Sequence, residues 1–534
     1  MMERLKAWAA AAADAMPTAD RLMELTGVML QGLAILFVWV VGMSALVALL
    51  MAAIDRLQTA DAVRRNYPLI GRFRGLFSAL GEFFRQYFFA MDREEQPFNR
   101  AQRSWAYRAA EGKPNTSAFG STTPMTTPGQ PIFVNAPYAL TEAERCATAP
   151  MRIGPDCVHP YDAPSFFNIS GMSFGSISRP AVKALSRGAA EAGVWFNTGE
   201  GGLSDWHLEG GCDIVFQIGT AKYGVRDAAG RLDEARLRAV AAHPQVRMFE
   251  VKLSQGAKPG KGGILPGRKV TSKIAEIRGI PEGRDSISPN RHPEIDGDDA
   301  LLDVLARIRA VTGKPVGFKT VIGDPAWIDA LCARIVARGE ADAPDFITVD
   351  GGDGGTGAAP MALMDHVGLS IREALPAVSD ALHRHGLRER VRVVASGKLV
   401  NPADVAWALA AGADFVTSAR GFMFALGCIQ ALKCNRNTCP TGITTHDPAL
   451  QRGLVPKVKA KRVAHYARSV IHEVETIAQS CGVREPRALG RRHVRIIGEG
   501  GRSAAMAALW PRPDPATAPR PAPSLRAIEG AGAE

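Results

Sequence analysis

The sequence lacks a regular set of paired cysteines, which argues against a disulfide-stabilised extracellular domain. Its eight cysteines lie at irregular intervals between positions 146 and 481, and this fits a reducing compartment. It also lacks any nucleic-acid-binding motif and any interleaving of aromatic with basic residues. The net charge of +11, from 64 basic and 53 acidic residues, therefore indicates attraction to a membrane surface or to anionic ligands. No nucleic-acid partner is predicted.

Charge is missing altogether from the apolar run between Gly27 and Ile54, in which only Gln31 and Ser44 are clearly polar. Its 28 residues exceed the roughly 20 that cross a bilayer as a helix, and the run is too long and begins too late for a cleaved signal peptide. A buried hairpin or core helix is the alternative. Arginines concentrate after the run, at positions 56, 64, 65, 72, 74 and 85. We expect residues 1–26 to be an N-terminal tail and residues 27–54 to be a single span of the cytoplasmic (inner) membrane. By the positive-inside rule, the chain after this span lies in the cytoplasm.

Residues 55–144 are expected to form a juxtamembrane helical region and linker. Within them, residues 76–90 are rich in aromatics and poor in charge. That composition is typical of a helix at the membrane interface, and equally of a helix packed on a catalytic domain. The polar stretch 112–130, rich in Gly, Ser, Thr and Pro, indicates a linker or surface loop.

From about residue 160 onward, short β-branched or apolar runs alternate with helical patterns. This alternation predicts an α/β fold, a parallel (β/α)8 TIM barrel with crossover helices; an open doubly wound sheet is the alternative. The predicted strands are Phe166–Ser170, Val194–Asn197, Met248–Leu253, Ser286–Ser288, Val316–Thr320, Phe346–Val349, Val391–Ala395 and Phe415–Thr417. The fourth of these is the weakest. We expect the long stretch 199–243 to be an insert over the barrel mouth.

Glycine clusters follow several of the predicted strands, at 171–178, 199–202 and 351–357. Glycine at a strand end allows backbone N–H groups to face a phosphate. The pairs Ser396-Gly397 and Arg420-Gly421 close the last two strands, where barrels usually bind phosphate. A tight turn explains each single pair equally well, but two such pairs together favour a phosphate site.

Positive charge also gathers at strand ends. Lys319 ends the fifth predicted strand, where it can stabilise a reduced flavin or can simply be exposed to solvent. Residues 252–263 carry three lysines and four glycines directly after the third predicted strand. That density of cations suits an anionic substrate such as a dicarboxylate; a solvated basic loop is the alternative.

Three cysteines, Cys428, Cys434 and Cys439, follow one another with C-x5-C-x4-C spacing, and a proline comes after the last. Three close thiolates cannot all pair among themselves, which favours a metal, and soft sulfur ligands select iron–sulfur clusters, zinc or copper(I). Three ligands in place of four favour a cluster that lacks one iron, or a fourth ligand from elsewhere. Buried thiols at a helix end are the alternative.

Five motifs, in the same order, resemble the synthase domain of glutamate synthase across residues 145–485. They are Gly171-Met-Ser-Phe-Gly-Ser-Ile-Ser178, Gly199-Glu-Gly-Gly202, Gln255-Gly-Ala-Lys-Pro-Gly260, Asp353-Gly-Gly-Thr-Gly357 and Cys428-x5-Cys434-x4-Cys439-Pro-Thr-Gly-Ile443. The resemblance implies an FMN-binding barrel with a three-iron, four-sulfur (3Fe-4S) cluster on the cysteine triplet. It further implies that 2-oxoglutarate and ammonia give 2-iminoglutarate, which is reduced to glutamate.

The resemblance also implies roles for single residues. Lys252, Lys258 and Arg278 would hold the substrate carboxylates and polarise the keto oxygen. Glu200 would lie in the loop over the substrate. The residues that would contact FMN are Met172, Ser173, Gln217, Lys319, Gly351, Gly352, Gly355, Ser396, Gly397, Arg420 and Gly421.

Departures from the family pattern shape the predicted function. Ile264 stands where the family has glutamine, so one amide contact is missing and the acceptor can be a relative of 2-oxoglutarate. The sequence shows neither a glutaminase domain nor the large C-terminal β-helix domain, so ammonia is expected free or from a partner. Residues 486–534 are expected to be a mostly disordered extension, Ala/Pro-rich after about residue 500. No NAD(P)H-binding fingerprint is evident, so we expect electrons to arrive from a donor protein or subunit through the cluster.

The predicted protein is thus a membrane-tethered, glutamate synthase-like oxidoreductase acting on CH-NH2 donors. One alternative is a subunit that transfers an amine such as methylamine to a glutamate-like acceptor. Another is a flavin and iron–sulfur electron-transfer subunit without synthase activity. A hydroxy-acid oxidase or IMP-dehydrogenase-like barrel would share the phosphate site but would not account for the cysteine triplet.

Overall fold

A computed structural model describes residues 1–14 and 19–513 of the 534-residue chain. The chain divides into two units, Met1–Arg100 and Ala101–Glu534.

The first unit is helical. It contains α1 (Met2–Asp14), α2 (Ala19–Leu57), α3 (Ala62–Asn66), α4 (Ile70–Phe84) and a π-helical turn (Arg85–Phe89). The segment Met23–Leu57 of α2 is long enough and apolar enough to cross a membrane, and its apolar part is exposed rather than packed as a core helix. The predicted aromatic helix at 76–90 corresponds to the second half of α4 and the π-helical turn.

The second unit is built on a closed barrel of eight parallel strands, each hydrogen-bonded to the next. The strands are β1 (Phe167–Ile169), β2 (Phe196–Asn197), β3 (Ile214–Ile218), β4 (Val246–Lys252), β5 (Val316–Thr320), β6 (Phe346–Asp350), β7 (Arg392–Ser396) and β8 (Phe415–Ser418). Closure confirms the predicted (β/α)8 barrel and excludes the open sheet. Their side chains are almost all buried, because a parallel barrel is covered on its inner and outer faces.

Helices cover the barrel and extend beyond it. They are α5 (Arg100–Ala110), α6 (Arg179–Ala192), α7 (Asp205–Leu208), α8 (Glu234–Ala241), α9 (Ser272–Arg278), α10 (Asp298–Thr312), α11 (Pro325–Arg338), α12 (Met361–Met364), α13 (Ile371–Arg384), α14 (Pro402–Ala411), α15 (Arg420–Leu426), α16 (Pro448–Gln451), α17 (Pro456–Ser480) and α18 (Met506–Leu509). Residues 112–130 contain neither helix nor strand.

One predicted strand was wrong and one strand was missed. Ser286–Ile287 pairs antiparallel with Ile264–Leu265 in a small hairpin outside the barrel. The third barrel strand is instead β3, inside the stretch 199–243 that was predicted to be an insert. Gln217 interrupts the apolar run of β3, and this concealed a strand whose five side chains are all buried.

A hairpin closes the amino-terminal end of the barrel. Its strands are Met151–Ile153 and Tyr161–Ala163, and Ile153 and Tyr161 pack in one apolar cluster with side chains from the starts of the barrel strands, including Phe346 and Phe415. Each fully buried aromatic of this kind contributes about 1.5–3 kcal/mol of hydrophobic stabilisation. The sealed floor leaves the carboxyl ends of the strands as the open face.

The segment after residue 485 is more ordered than predicted. Val494–Ile497 pairs antiparallel with Pro131–Phe133 and with Ser503–Ala505, and α18 follows. The short apolar run Val-Arg-Ile-Ile becomes a strand because Pro131–Phe133, about 360 residues earlier, supplies its partner. The expectation of a mostly disordered extension therefore does not describe residues 486–513, and its remaining part lies outside the described residues.

Candidate active site

A cavity of about 170 Å³ opens at the carboxyl ends of the barrel strands. Most of the predicted site residues line it, although they come from nearly every strand end: Met172, Ser173, Glu200, Gln217, Lys252, Lys258, Arg278, Lys319, Gly355, Ser396, Gly397, Arg420 and Cys434. This is the face on which barrel enzymes carry their active sites.

Two lysines and a glutamate form the polar centre of the cavity. The Lys252 ammonium lies 3.1 Å from a Glu200 carboxylate oxygen and also donates to Gln255. Burial alone would raise the pKa of Glu200, but the charges of Lys252, Lys258 and Arg278 outweigh burial and lower it to about 2. Glu200 is therefore a permanent carboxylate at physiological pH.

Lys258 is the least satisfied cation of this group. It is buried, and its ammonium makes no hydrogen bond or ion pair within the part of the chain that the structure describes. Burial lowers its pKa; the Glu200 carboxylate opposes that shift and Lys252 adds to it. An ammonium that faces the cavity without a direct partner favours an anionic ligand.

Arg278, at the carboxyl end of α9, is held from three sides. It donates to the Ser286 hydroxyl at 3.1 Å and to the Phe174 carbonyl at 3.3 Å, and its guanidinium lies 5.0 Å from the centre of the Tyr223 ring. Its buried Nε has no hydrogen-bond partner among the described residues. Burial lowers its pKa against the opposing effects of Tyr223 and Glu200. Ser286, which was wrongly predicted to lie in a barrel strand, thus contributes to the site by holding the Arg278 guanidinium in place.

A buried carboxylate missed in the sequence organises the interior just below the cavity. Glu250, on β4, accepts from the Gln217 amide at 2.6 Å, the Asn197 amide at 2.8 Å and the Thr348 hydroxyl at 2.6 Å. These bonds fix which way the Gln217 amide faces. No local pattern marked Glu250, because its partners come from strands β2, β3 and β6.

Lys319 points into the cavity. Its ammonium lies 3.2 Å from Asp350, and the same carboxylate oxygen accepts from the Gly256 N–H at 2.8 Å. The solvent-exposed alternative is excluded, since Lys319 is buried. Asp350 thereby connects the end of β6 to the loop that carries Lys258.

The predicted phosphate-binding residues separate into two groups. Gly355, Gly397 and Arg420 line the cavity, and Arg420 donates to the Thr356 carbonyl at 2.7 Å. Gly351, Gly352 and Gly421 do not line it; their N–H groups donate to Ser396, Leu369 and Ser418, respectively. The structure therefore places only the first group at the cavity wall, and the predicted contacts of the second group with FMN stay a prediction.

The cysteine triplet follows α15 in an irregular loop. Gln430, Leu432 and Asn437 adopt positive φ angles of 58°, 53° and 59°, a rare backbone conformation that is concentrated at functional sites. Cys434 lines the cavity, whereas Cys428 and Cys439 do not. Within residues 1–14 and 19–513, no three His, Cys, Asp or Glu side chains surround a single ion position.

Lys269 connects the cysteine loop to the cavity and was not predicted. It is buried and donates to the Ser176 carbonyl at 2.8 Å and the Cys434 carbonyl at 3.4 Å. Burial lowers its pKa to about 8, and the thiols of Cys434 and Cys439 oppose that shift. It places a cation beside two of the three cysteines.

Comparison with known proteins identifies the family. The conserved region in glutamate synthase matches residues 142–484. The chain belongs to the glutamate synthase family. The predicted family and oxidoreductase class are confirmed, and the matched region agrees with the predicted 145–485.

Relatives in this family include a glutamate synthase large subunit-like protein, YerD, of Bacillus subtilis (strain 168). It is 38% identical over 507 residues, which cover 87% of this chain and 96% of that protein. An archaeal-type glutamate synthase [NADPH] of Thermotoga neapolitana is 38% identical over 316 residues, and the match covers 59% of each chain. The chain thus spans about three-fifths of the length of the archaeal-type relatives. Among solved structures, a chimera of (S)-mandelate dehydrogenase overlays with a TM-score of 0.44 at 14% identity, covering 74% of this chain and 98% of that one.

In this glutamate synthase-family barrel, we expect replacement by alanine to lower stability at Gly421 and to lower flavin binding at Gly355. A Cβ on Gly421 would lie 1.9 Å from the hydroxyl of Tyr466, a buried side chain that donates to the Val400 carbonyl. A Cβ on Gly355 would meet the flexible end of Arg420 at 3.3 Å and enter the cavity. Gly421→Ala should cost about 1–3 kcal/mol of stability through overpacking. Gly355→Ala should keep the melting temperature but lower the amount of flavin retained on purification. Equal melting temperatures for both variants would contradict this account.

The low pKa of Glu200 predicts a pH-dependent contribution to stability. Its pKa is about 2 in the folded protein and 4.5 in its ordinary state. The ionised carboxylate therefore stabilises the fold fully at pH values above 4.5, and this contribution is lost as the pH falls toward 2. The difference in melting temperature between the wild type and Glu200→Gln should be constant near neutrality and should shrink below about pH 4.5. A difference that stays the same down to about pH 3 would refute the assignment.

Proposed function

We propose that this protein is an FMN- and iron–sulfur-dependent oxidoreductase that reduces a 2-imino acid, formed from a 2-oxo acid and ammonia, to the corresponding amino acid. Glutamate is the product when the acceptor is 2-oxoglutarate. One observation carries the proposal: Lys252, Lys258 and Arg278 converge with Glu200 in the same cavity as Lys319 and Cys434. Membership of the glutamate synthase family supports it.

The charge of the cavity supports a dicarboxylate acceptor. Lys252 is paired with Glu200, so Lys258 and Arg278 are the two cations beside Glu200 that have no direct carboxylate partner among the described residues. Both are buried, and charge-assisted hydrogen bonds are strongest where water is excluded. The positive charges of Lys258 and Arg278 match the two carboxylates of 2-oxoglutarate, whereas a monocarboxylate would leave one of these two cations unpaired.

The residues on the flavin side fit FMN. Lys319 offers a buried cation, Gln217 offers an amide whose orientation Glu250 holds, and Arg420 with Gly397 offers a place for the phosphate. FMN, when bound, supplies the hydride that reduces an imine carbon. The protein's own residues orient the acceptor and keep water away from it.

The cysteine loop fits a 3Fe-4S cluster held by Cys428, Cys434 and Cys439. Cys434 at the cavity wall supports electron exchange between cluster and flavin site. A cluster, when bound, supplies single electrons, and a donor protein or subunit is the proposed source. We further propose that α2 crosses the cytoplasmic membrane and that the chain after it lies in the cytoplasm, since arginines concentrate in the sequence directly after the apolar run.

A second candidate function rests on Ile264. This side chain lines the cavity and is 46% exposed, so it presents apolar surface where the family has an amide. An acceptor related to 2-oxoglutarate, or an amine larger than ammonia, would suit that surface. An electron-transfer subunit without synthase activity would bind no acceptor, so the presence of Lys258 and Arg278 in the cavity counts against that alternative.

The deciding experiment is an anaerobic assay of the dithionite-reduced full chain. Ammonia or methylamine is added with 2-oxoglutarate or a monocarboxylic 2-oxo acid, and flavin reoxidation and amino acid formation are followed together. We expect reoxidation with a dicarboxylate, and we expect Ile264→Gln to raise kcat/KM for 2-oxoglutarate relative to other 2-oxo acids. The proposal would be overturned if anaerobically purified protein contained no flavin or no iron. It would also be overturned if none of the acceptors reoxidised the flavin. A preference for methylamine would instead favour the amine-transferring subunit.

A further inference from the structure

An apolar stripe on α4 lies exposed beyond the end of α2. Phe73, Phe77, Leu80 and Phe84 follow one another at intervals of four, three and four residues, which places them on one face of the helix. Phe88 continues the stripe in the π-helical turn, 5.6 Å from Phe84 between ring centres. These five side chains are between 39% and 74% exposed. A continuous exposed apolar face of this kind marks an interaction surface.

The charge around this stripe is basic. Residues 55–85 contain six arginines and three acidic residues. Arg56, Arg65 and Arg74 are exposed and make no ion pair within the described part of the chain. A partner with negative charge and apolar surface side by side would complement this region.

A buried carboxylate joins the start of α4 to the end of α2. Asp55 accepts from Arg64 at 2.6 Å, from Arg72 at 2.7 Å and from the Leu69 N–H at 3.2 Å, and it is fully buried. Between α3 and α4, a Cβ on Gly71 would lie 2.9 Å from the Arg64 Cα, so the two helices meet at close range. This Asp55 clamp (Asp55 with Arg64, Leu69 and Arg72) holds the start of α4 where the apolar run of α2 ends.

From these observations we propose that α4 and the π-helical turn form a second membrane contact, which rests on a bilayer surface containing anionic phospholipid. The aromatic stripe would enter the boundary between headgroups and acyl chains, where aromatic side chains are enriched. The unpaired arginines would face anionic headgroups. The Asp55 clamp supplies the placement, since the end of an apolar spanning helix lies at that boundary. This contact is independent of the proposed reaction.

The test uses the full chain reconstituted into vesicles of phosphatidylcholine with phosphatidylglycerol. A photoreactive diazirine amino acid replaces Phe77 on the stripe or, as a matched control, Ala79 on the opposite face of α4. After illumination, phospholipid adducts are counted by mass spectrometry, and flavin absorbance verifies that each protein is folded. We expect several-fold more lipid adducts at 77 than at 79, and a lower yield at 77 in vesicles of phosphatidylcholine alone. Equal yields at 77 and 79, or adducts at 77 to protein instead of lipid, would overturn the proposal.

A second pair of variants tests the Asp55 clamp. Arg72→Gln and Arg74→Gln remove the same charge from the same helix, but only Arg72 contacts Asp55. With the reporter at 77, or at Phe84 as a second position, Arg72→Gln should lower the lipid adducts more than Arg74→Gln. Equal losses would show that charge alone acts and that the clamp does not position α4.

Discussion

Replacing Lys258 with Met should lower kcat/KM for 2-oxoglutarate by about 30- to 1000-fold, equivalent to about 2–4 kcal/mol. Lys258 is buried in the cavity, and its ammonium makes no hydrogen bond or ion pair within the described residues. A substrate carboxylate would then be the direct partner of this ammonium, which otherwise interacts with Glu200 only at longer range. Met has similar length and no charge, so the variant removes the charge with little change in packing. The measurement is kcat/KM in the anaerobic assay, with flavin content checked for each preparation.

Lys261→Met is the matched control for this variant. Lys261 belongs to the same loop, is exposed and does not line the cavity. Its removal takes away an equal charge without touching the cavity, so kcat/KM should change by less than about threefold. If both lysine variants lose activity equally, the loop acts through its total charge and Lys258 does not bind a carboxylate.

Replacing Cys434 with Ser should abolish the electron paramagnetic resonance signal expected of the proposed oxidised cluster, while the flavin absorbance remains. A serine hydroxyl is a poor substitute for a thiolate toward iron, and a cluster that already has three protein ligands cannot lose one without loss of affinity. The flavin should stay, because the glycines and Arg420 that fit its phosphate belong to other strand ends. The spectrum and the iron content of anaerobically purified protein are the measurements.

Cys332→Ala is the control for the cysteine experiment. Cys332 is a buried thiol on α11, remote in sequence from the triplet, and burial raises its pKa to about 12. It is therefore a protonated core side chain, and its loss should leave iron content and spectrum unchanged. An unchanged spectrum in Cys434→Ser would refute its assignment as a ligand. Zinc in place of iron in the wild type would refute the cluster itself.

Local patterns predicted much of the cavity because its chemistry sits at strand ends. An apolar strand followed by glycine, lysine or arginine is visible in a few consecutive residues, as at Lys319 and Ser396-Gly397. The closed barrel then brings those ends together, since its parallel strands all point the same way. Predicting that a residue lies at a strand end was therefore close to predicting that it lies in the cavity.

The wrong strand assignments have a common physical cause, because a local sequence pattern does not show which distant strand it will pair with. β3 was missed because Gln217 broke its apolar run, and Ser286–Ile287 was placed in the barrel because a short β-like run says nothing of its partner strand. Gly351, Gly352 and Gly421 match the same glycine pattern but do not line the cavity, and their N–H groups donate within the protein, so their predicted contact with FMN stays a prediction. A glycine in the sequence indicates which backbone conformations are possible there, but it does not indicate which acceptor its N–H group will donate to in the folded protein.

By itself, the sequence determined the class of fold, the apolar helix, the cysteine spacing and the gathering of cations near glycine-rich strand ends. All of these are properties of neighbouring residues. The tertiary structure decided which charges neutralise each other: Lys252 with Glu200, Lys319 with Asp350, and Asp55 with Arg64 and Arg72. It also revealed Glu250 beneath the cavity and Lys269 beside the cysteines. Such pairings depend on distances across the folded chain, and those distances decide which cations remain available to a ligand.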